Sequence, residues 1–277
     1  MPAQLMDGKA LAERIRREVA EEVEQLGEVG LTTILVGDDP ASEIYIRRKQ
    51  EAAKEVGILA RDYRLAEETT EEELLDLITQ LNADDKVDGI LLQLPLPDQI
   101  DEQRAIEAVD PAKDVDGFHP LNAGRLWLGL DGLVAGTPTG IITLLDEYGV
   151  PLEGAHAVVV GRSNIVGKPV ALLLLARNAT VTICHSRTAD LAAETRQADV
   201  LVVAVGEAGL ISPEMVKEGA TVVDVGMNRT DEGLRGDVDP AVAERAGLIT
   251  PVPGGVGPMT IASLLRNTVK AARARRC

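Results

Sequence analysis

Aromatic residues are scarce in this 277-residue chain: it has one Phe, one Trp and three Tyr. A core built from it is aliphatic, and aromatic platforms on which single-stranded nucleic acid stacks are excluded. Cysteine is nearly absent as well. Cys184 and Cys277 are too few and too far apart for a disulfide framework or a zinc site. They read as a small buried apolar residue and a tail residue, and no metal is expected. Long hydrophobic runs are missing: the longest, residues 170–176, is far too short to span a bilayer. No basic-then-apolar leader is visible, so the expected location is cytoplasmic, without a membrane partner. Positive charge is the last shortage. Lys and Arg number 28 against 45 Asp and Glu, a net charge of −17. Such a chain does not coat a nucleic acid or an anionic membrane without a strong local basic patch. The nearest candidate, Arg273, Arg275 and Arg276, reads as a frayed helix end.

What remains is 45% apolar and 26% charged, the composition of a folded protein. The length suits two domains, and a chain of this size buries about 75% of its unfolded surface without covalent staples. Leu11, Ile15, Val19, Val23 and Leu26 recur every three or four residues, as on an amphipathic helix. Residues 32–36 suggest a strand closed by a Gly-Asp-Asp-Pro turn. Ser42 then reads as the N-cap of a helix ending near Val56, with Gly57 as its stop. Thr70 and Glu73 form a capping box before an apolar face of Leu74, Leu77, Ile78 and Leu81. Residues 89–94 read as a buried strand. Six glycines between 117 and 140 mark a loop region and a domain boundary. Beyond it, short apolar strands at 155–160, 180–184, 199–205 and 221–225 alternate with helical segments. That alternation predicts an α/β fold with a Rossmann-like, doubly wound parallel sheet. A last helix is expected over about 258–275.

The loop Gly161, Arg162, Ser163, Asn164, Ile165, Val166, Gly167 lies between a strand and a helix. A first glycine makes the tight turn, and a later one lets the helix N-terminus approach a pyrophosphate. Ser163 stands where the dinucleotide fingerprint has its middle glycine, and the loop is one residue longer. Alone it could be an ordinary glycine turn; the strand–loop–helix–strand setting points to a nucleotide. The next strand ends at Ser186 and Arg187 rather than at the Asp or Glu that holds an NAD ribose. That pair suits the 2′-phosphate of NADP. Arg187 could equally be a solvated surface charge.

Tyr45 and Lys49 are four residues apart on one helix and share a face. A ring beside an amine can hold a planar ligand while the amine moves protons. An amine is a base near neutral pH only if its pKa falls about three units, roughly 4 kcal/mol. On spacing alone, a core-edge tyrosine and a solvated lysine remain the simpler reading. A Tyr-x-x-x-Lys pair also occurs in short-chain dehydrogenases, but there it follows the nucleotide domain, whereas here it precedes the glycine loop.

Several stretches together resemble one family, the bifunctional methylenetetrahydrofolate dehydrogenase/methenyltetrahydrofolate cyclohydrolases. They are residues 36–49, 89–97, 110–120, 161–169, 179–188, 224–228, 236–239 and 250–260. They fall in the family's order and span nearly the whole chain. One departure is Ala135-Gly136 where the family commonly has Pro-Cys, which touches the shape of the site's wall rather than its chemistry. The resemblance implies oxidation of 5,10-methylenetetrahydrofolate by NADP, then hydrolysis of the methenyl product to 10-formyltetrahydrofolate. It implies Lys49 as the base for water, because a cationic carbon disfavours the protonated amine beside it. Gln93 would orient Lys49 without adding charge, Asp116 would accept from the pterin N–H groups, and Tyr45 would pack on the ring system. Pro253, Gly254 and Gly255 would form a close backbone wall. Residues 1–139 with 256–277 would be the folate domain and 140–255 the NADP domain, with the site in a cleft between them. Tetrahydrofolate derivatives and a second copy, as a homodimer, are the implied partners. A dehydrogenase of another small substrate, shikimate-dehydrogenase-like, and a non-catalytic nucleotide sensor remain the alternatives; folate competition and turnover separate them.

Overall fold

The computed structural model describes residues 2–231 and 233–276, so Cys277 lies outside the described residues. The chain opens with β1 (Gln4–Leu5), α1 (Gly8–Leu26), β2 (Gly30–Val36), α2 (Pro40–Glu55) and β3 (Leu59–Leu65). It continues through α3 (Glu71–Ala83), β4 (Gly89–Leu92), α4 (Glu102–Ala108), α5 (Pro120–Trp127) and α6 (Gly136–Glu147). Next come β5 (His156–Val160), α7 (Gly167–Ala176), β6 (Thr180–Cys184), α8 (Leu191–Thr195), β7 (Val200–Val203) and β8 (Thr221–Asp224). A hairpin of β9 (Asn228–Thr230) and β10 (Gly233–Arg235) precedes β11 (Leu248–Ile249) and α9 (Val256–Arg276).

The chain divides into two units: Glu13–Gly136 with Ile261–Cys277, and Met1–Ala12 with Thr137–Thr260. The first unit holds a three-stranded parallel sheet in the order β3-β2-β4. Its core gathers Ile34, Val36, Ile90 and Leu92 from the strands with Leu74, Ile78 and Leu81 of α3. The apolar stripe that the spacing marks on α3 is therefore its buried face. The Thr70 side chain accepts from the Glu73 N–H and the Glu73 carboxylate accepts from the Thr70 N–H, as the capping box requires. Helix α2 starts at Pro40, so Ser42 lies inside the helix rather than capping it: the Glu43 N–H already donates to the Asp39 carbonyl at 3.0 Å.

The second unit holds a six-stranded parallel sheet, ordered β1-β11-β8-β7-β5-β6. Its inner strands β5, β7 and β8 are buried almost throughout, as apolar runs in a parallel sheet must be. Cys184 is buried in this core, the role expected of it. The first residues of the chain belong here too, since Gln4 and Leu5 pair with Leu248 and Ile249. Among the described residues no helix is long and apolar enough to cross a membrane.

Two further expectations change. The glycine-rich region 117–140 is not all loop, because α5 lies inside it. His119 caps that helix, its Nδ1 accepting from the Leu121 N–H at 3.0 Å, and Pro120 occupies the first turn. The C-terminal arginines are not frayed. Arg273 pairs with Glu22 at 2.8 Å, Arg275 donates to the Val87 carbonyl, and Arg276 lies 3.2 Å from the buried Asp88.

Candidate active site

In the first unit, β2 runs beside β4, and α2 follows β2 through a tight turn. This places Lys49, from α2, beside Gln93, the residue just past β4. The Gln93 N–H donates to the Ile34 carbonyl at 2.9 Å, continuing the sheet one residue beyond β4. Its side-chain amide donates to the Leu94 carbonyl at 2.7 Å. That bond leaves the Gln93 Oε1 facing Lys49, whose Nζ donates to it over 3.5 Å. Ligands of open α/β sheets bind at this carboxyl edge of the strands. Tyr45, one turn earlier on α2, is 40% exposed.

Asp116 comes from the segment that β4 holds on its free side. The Ile90 N–H donates to the Lys113 carbonyl at 2.7 Å, and Ile90 bridges to Asp114. Burial pushes the Asp116 carboxyl above the usual carboxylate range; the charge of Lys49 pulls it back and Asp114 adds to the rise. Lys49, Gln93 and Asp116 thus form one cluster: an amine, a neutral acceptor and a partly desolvated carboxyl.

Three neighbours that hold this cluster carry no role in the sequence reading. Buried Asp114 accepts from the Phe118 N–H at 3.2 Å, the His119 N–H at 2.8 Å and the Asn122 amide at 2.9 Å. It thereby closes the loop that carries Asp116. Asn267, within α9, donates to the Val115 carbonyl at 2.8 Å and the Val134 carbonyl at 2.7 Å. Lys113 is almost fully buried, and its ammonium donates to three carbonyls at the end of α3, those of Leu81, Asn82 and Asp84. A cation there meets the negative end of the helix dipole. Burial, then Arg275, pulls its pKa down. No local signal marks Asn267, which stands between Arg266 and Thr268 in α9, and its partners lie far away in sequence.

In the second unit, β5 and β6 lie side by side with Val160 opposite Cys184, so the loops that follow them share one edge. Gly161 sits at φ +125°, and a Cβ there would lie 2.3 Å from the Ala204 carbonyl oxygen. At Gly167 a Cβ would lie 2.3 Å from the Gly161 oxygen. Both glycines are therefore demanded by the close approach of one backbone segment to another. Helix α7 starts at Gly167. Ser163 accepts from the Val166 and Gly167 N–H groups at 3.1 and 3.3 Å, while Arg162, Ser163 and Ile165 stay exposed. Ser186 and Arg187 are exposed at the end of β6, and the Arg187 N–H donates to His185 Nδ1 at 3.2 Å. Asp190, the first acid after that strand end, caps α8 by accepting from the Ala193 N–H at 2.9 Å. Among the described residues, the strand tip thus offers no carboxylate to meet a ribose 2′-OH, and the donor set fits a 2′-phosphate.

Pro253, Gly254 and Gly255 follow β11 at the same edge of this sheet. Gly254 sits at φ +109°, and the Gly255 N–H donates to the Pro251 carbonyl at 2.8 Å. The segment packs so closely that a Cβ on Gly8 would lie 1.9 Å from the Gly255 oxygen.

Comparison with known proteins matches the chain to two family models, whose bounds depart from the two units at residues 6–12 and 261–276. The family model for the tetrahydrofolate dehydrogenase/cyclohydrolase catalytic domain matches residues 6–116, and that for the NAD(P)-binding domain of the same family matches residues 135–276. The bifunctional protein FolD of Halothermothrix orenii is 61% identical over 274 residues, spanning 96% of this chain and 97% of its own. The bifunctional FolD enzyme of Campylobacter jejuni has a solved structure that is 51% identical, with a TM-score of 0.97 over 99% of both chains. The Trypanosoma brucei methylenetetrahydrofolate dehydrogenase-cyclohydrolase, solved with NADP cofactor and an inhibitor, is 39% identical, with a TM-score of 0.95 over 100% of both chains.

Proposed function

This chain belongs to the tetrahydrofolate dehydrogenase/cyclohydrolase family, and from that premise we infer a bifunctional folate enzyme. It oxidises 5,10-methylenetetrahydrofolate to the 5,10-methenyl compound with NADP and hydrolyses that product to 10-formyltetrahydrofolate. The observation that carries the reading is the cluster of Lys49 and Gln93, 3.5 Å apart, with the raised carboxyl of Asp116 beside them.

NADP supplies the hydride acceptor. The chain's own part in that step is positioning, since no protein base is needed once the two reacting carbons are aligned. Gly161 and Gly167 leave room for a pyrophosphate at the N-terminus of α7, beside Arg162, Ser163 and Ile165. Ser186 and Arg187 take the 2′-phosphate. In the hydrolysis, water adds to the methenyl carbon while neutral Lys49 accepts its proton. The hydroxyl then loses its proton to solvent as the C=O forms, one C–N bond breaks with its electron pair on nitrogen, and Lys49 returns its proton to that nitrogen, leaving the formyl group on the other. Gln93 holds the amine through an uncharged oxygen, so it does not stabilise the protonated form as a carboxylate would. Asp116 accepts from the pterin N–H groups, Tyr45 packs on the rings, and Pro253, Gly254 and Gly255 supply a backbone wall. The folate role belongs to the unit carrying Lys49 and the cofactor role to the six-stranded unit. The working form is a homodimer in the cytoplasm.

One assay tests this. The protein is mixed with methylenetetrahydrofolate and either NADP or NAD, and methenyl formation and decay are followed by absorbance. Formation with NADP followed by decay is expected; failure to produce the methenyl compound with either cofactor refutes the reading.

A further inference from the structure

Two buried carboxylates in the six-stranded unit have no part in the reaction as derived. Asp237 is fully buried. Its Oδ2 accepts from the backbone N–H groups of Val205 at 2.7 Å and Gly206 at 2.9 Å, and its Oδ1 accepts from the Asn228 amide at 2.8 Å. Asp224 fixes Asp237 in turn, accepting from the Asp237 N–H at 2.9 Å and the Val238 N–H at 3.0 Å. Gly226 makes space for this arrangement: a Cβ there would lie 2.2 Å from Asp237 Oδ1.

The segment that Asp237 holds follows β7 at the carboxyl edge of the sheet. Just before it, the Ala204 N–H donates to the Val160 carbonyl at 2.8 Å. The Ala204 carbonyl is also the group that any Cβ on Gly161 would strike. The position of residues 204–206 therefore sets the floor beneath the first turn of the glycine loop. We propose that Asp237 is a positioning residue for the NADP site: through the Val205 and Gly206 amides its carboxylate seats Ala204 against Gly161. The inference rests on the cofactor reading above.

The test uses the full chain and three variants: Asp237→Ala, Asn228→Asp, and the double variant Asp237→Asn/Asn228→Asp. The first strands buried donors, and the second sets two carboxylates against each other. The double variant exchanges acceptor and donor, so the bonding pattern returns. NADP affinity is measured by titration calorimetry, amide exchange is followed at Val205 and Gly206, and methenyl hydrolysis is assayed without NADP. Each single variant is expected to bind NADP about tenfold more weakly or worse. Both amides should exchange faster, and hydrolysis should persist. The double variant should regain affinity and protection. If Asp237→Ala fails to fold, Asn228→Asp and the double variant carry the comparison. Folded variants with wild-type NADP affinity, or a double variant as weak as Asn228→Asp, overturn the proposal alone. A wild-type chain that does not bind NADP overturns the cofactor reading and the proposal with it.

Discussion

Replacing Lys49 by Met keeps the length and apolar stem of the side chain and removes only the amine. Two magnitudes follow. The direct bond lost is the long one to Gln93, 3.5 Å and only part-buried. Its contribution to stability is at most about 1 kcal/mol, so a domain-sized unit should melt within a few degrees of wild type. The catalytic loss is far larger. A positioned general base contributes roughly 100- to 10,000-fold, and methenyl hydrolysis should fall by that factor. A third effect follows from the neighbouring carboxyl. The charge of Lys49 pulls the Asp116 carboxyl down against the effect of burial. Without that charge Asp116 rises further, so the acid limb of folate binding moves to higher pH. Hydrolysis is read from the decay of methenyl absorbance, dehydrogenation from the same cuvette with NADP, and folding from a melting curve. The dehydrogenase should partly survive. A Lys49→Met enzyme that hydrolyses the methenyl compound at the wild-type rate refutes the assigned base. A collapse of both activities together with the melting temperature refutes the claim that the residue acts through chemistry rather than packing.

Asp116→Ala should weaken folate binding about tenfold or more while NADP binding is unchanged, because the carboxylate and the glycine loop belong to different units; paired calorimetric titrations check both. Arg187→Ala should cost NADP about 10- to 100-fold in kcat/KM and leave NAD nearly unaffected, as expected for one charge-assisted contact to a 2′-phosphate; a wild type that prefers NAD would show the assignment wrong. Burial pushes Asp224 up to about 6, with the backbone N–H groups of Asp237, Val238 and Gly226 working against it. The folded chain therefore keeps a proton that the unfolded chain releases near pH 4. Stability from this group is full below that pH and declines as pH rises through 6, by up to about 3 kcal/mol. Urea unfolding at pH 4.5 and pH 7 should show a smaller difference in Asp224→Asn than in wild type.

The sequence was most legible where one local rule decides the outcome. The Thr70–Glu73 cap, the α3 stripe and the buried β5, β7 and β8 strands needed only propensity and period. The glycine loop was legible for a similar reason, since backbone approach tolerates no Cβ at Gly161 or Gly167. Several elements were not. Strand β3 is largely exposed and carries Arg61, Asp62 and Arg64, so no apolar run marks it; it exists because it pairs along β2. Helix α5 has a glycine within it and takes its place from Asn122, whose amide bonds the buried Asp114.

The kinds of residue able to do the chemistry, an amine and a ring on one helix face, a strand-end amide and a turn aspartate, were set by the order of amino acids alone. That they meet was decided by the tertiary structure. Lys49 and Gln93 are 44 residues apart, and only the pairing of β2 with β4 brings their elements together. Asp116 is held by Asn267, 152 residues from the Val115 carbonyl that it binds. Local patterns report what a segment prefers within a few residues. A carboxyl acquires its raised pKa, and a buried donor its partner, only when distant segments exclude water around them.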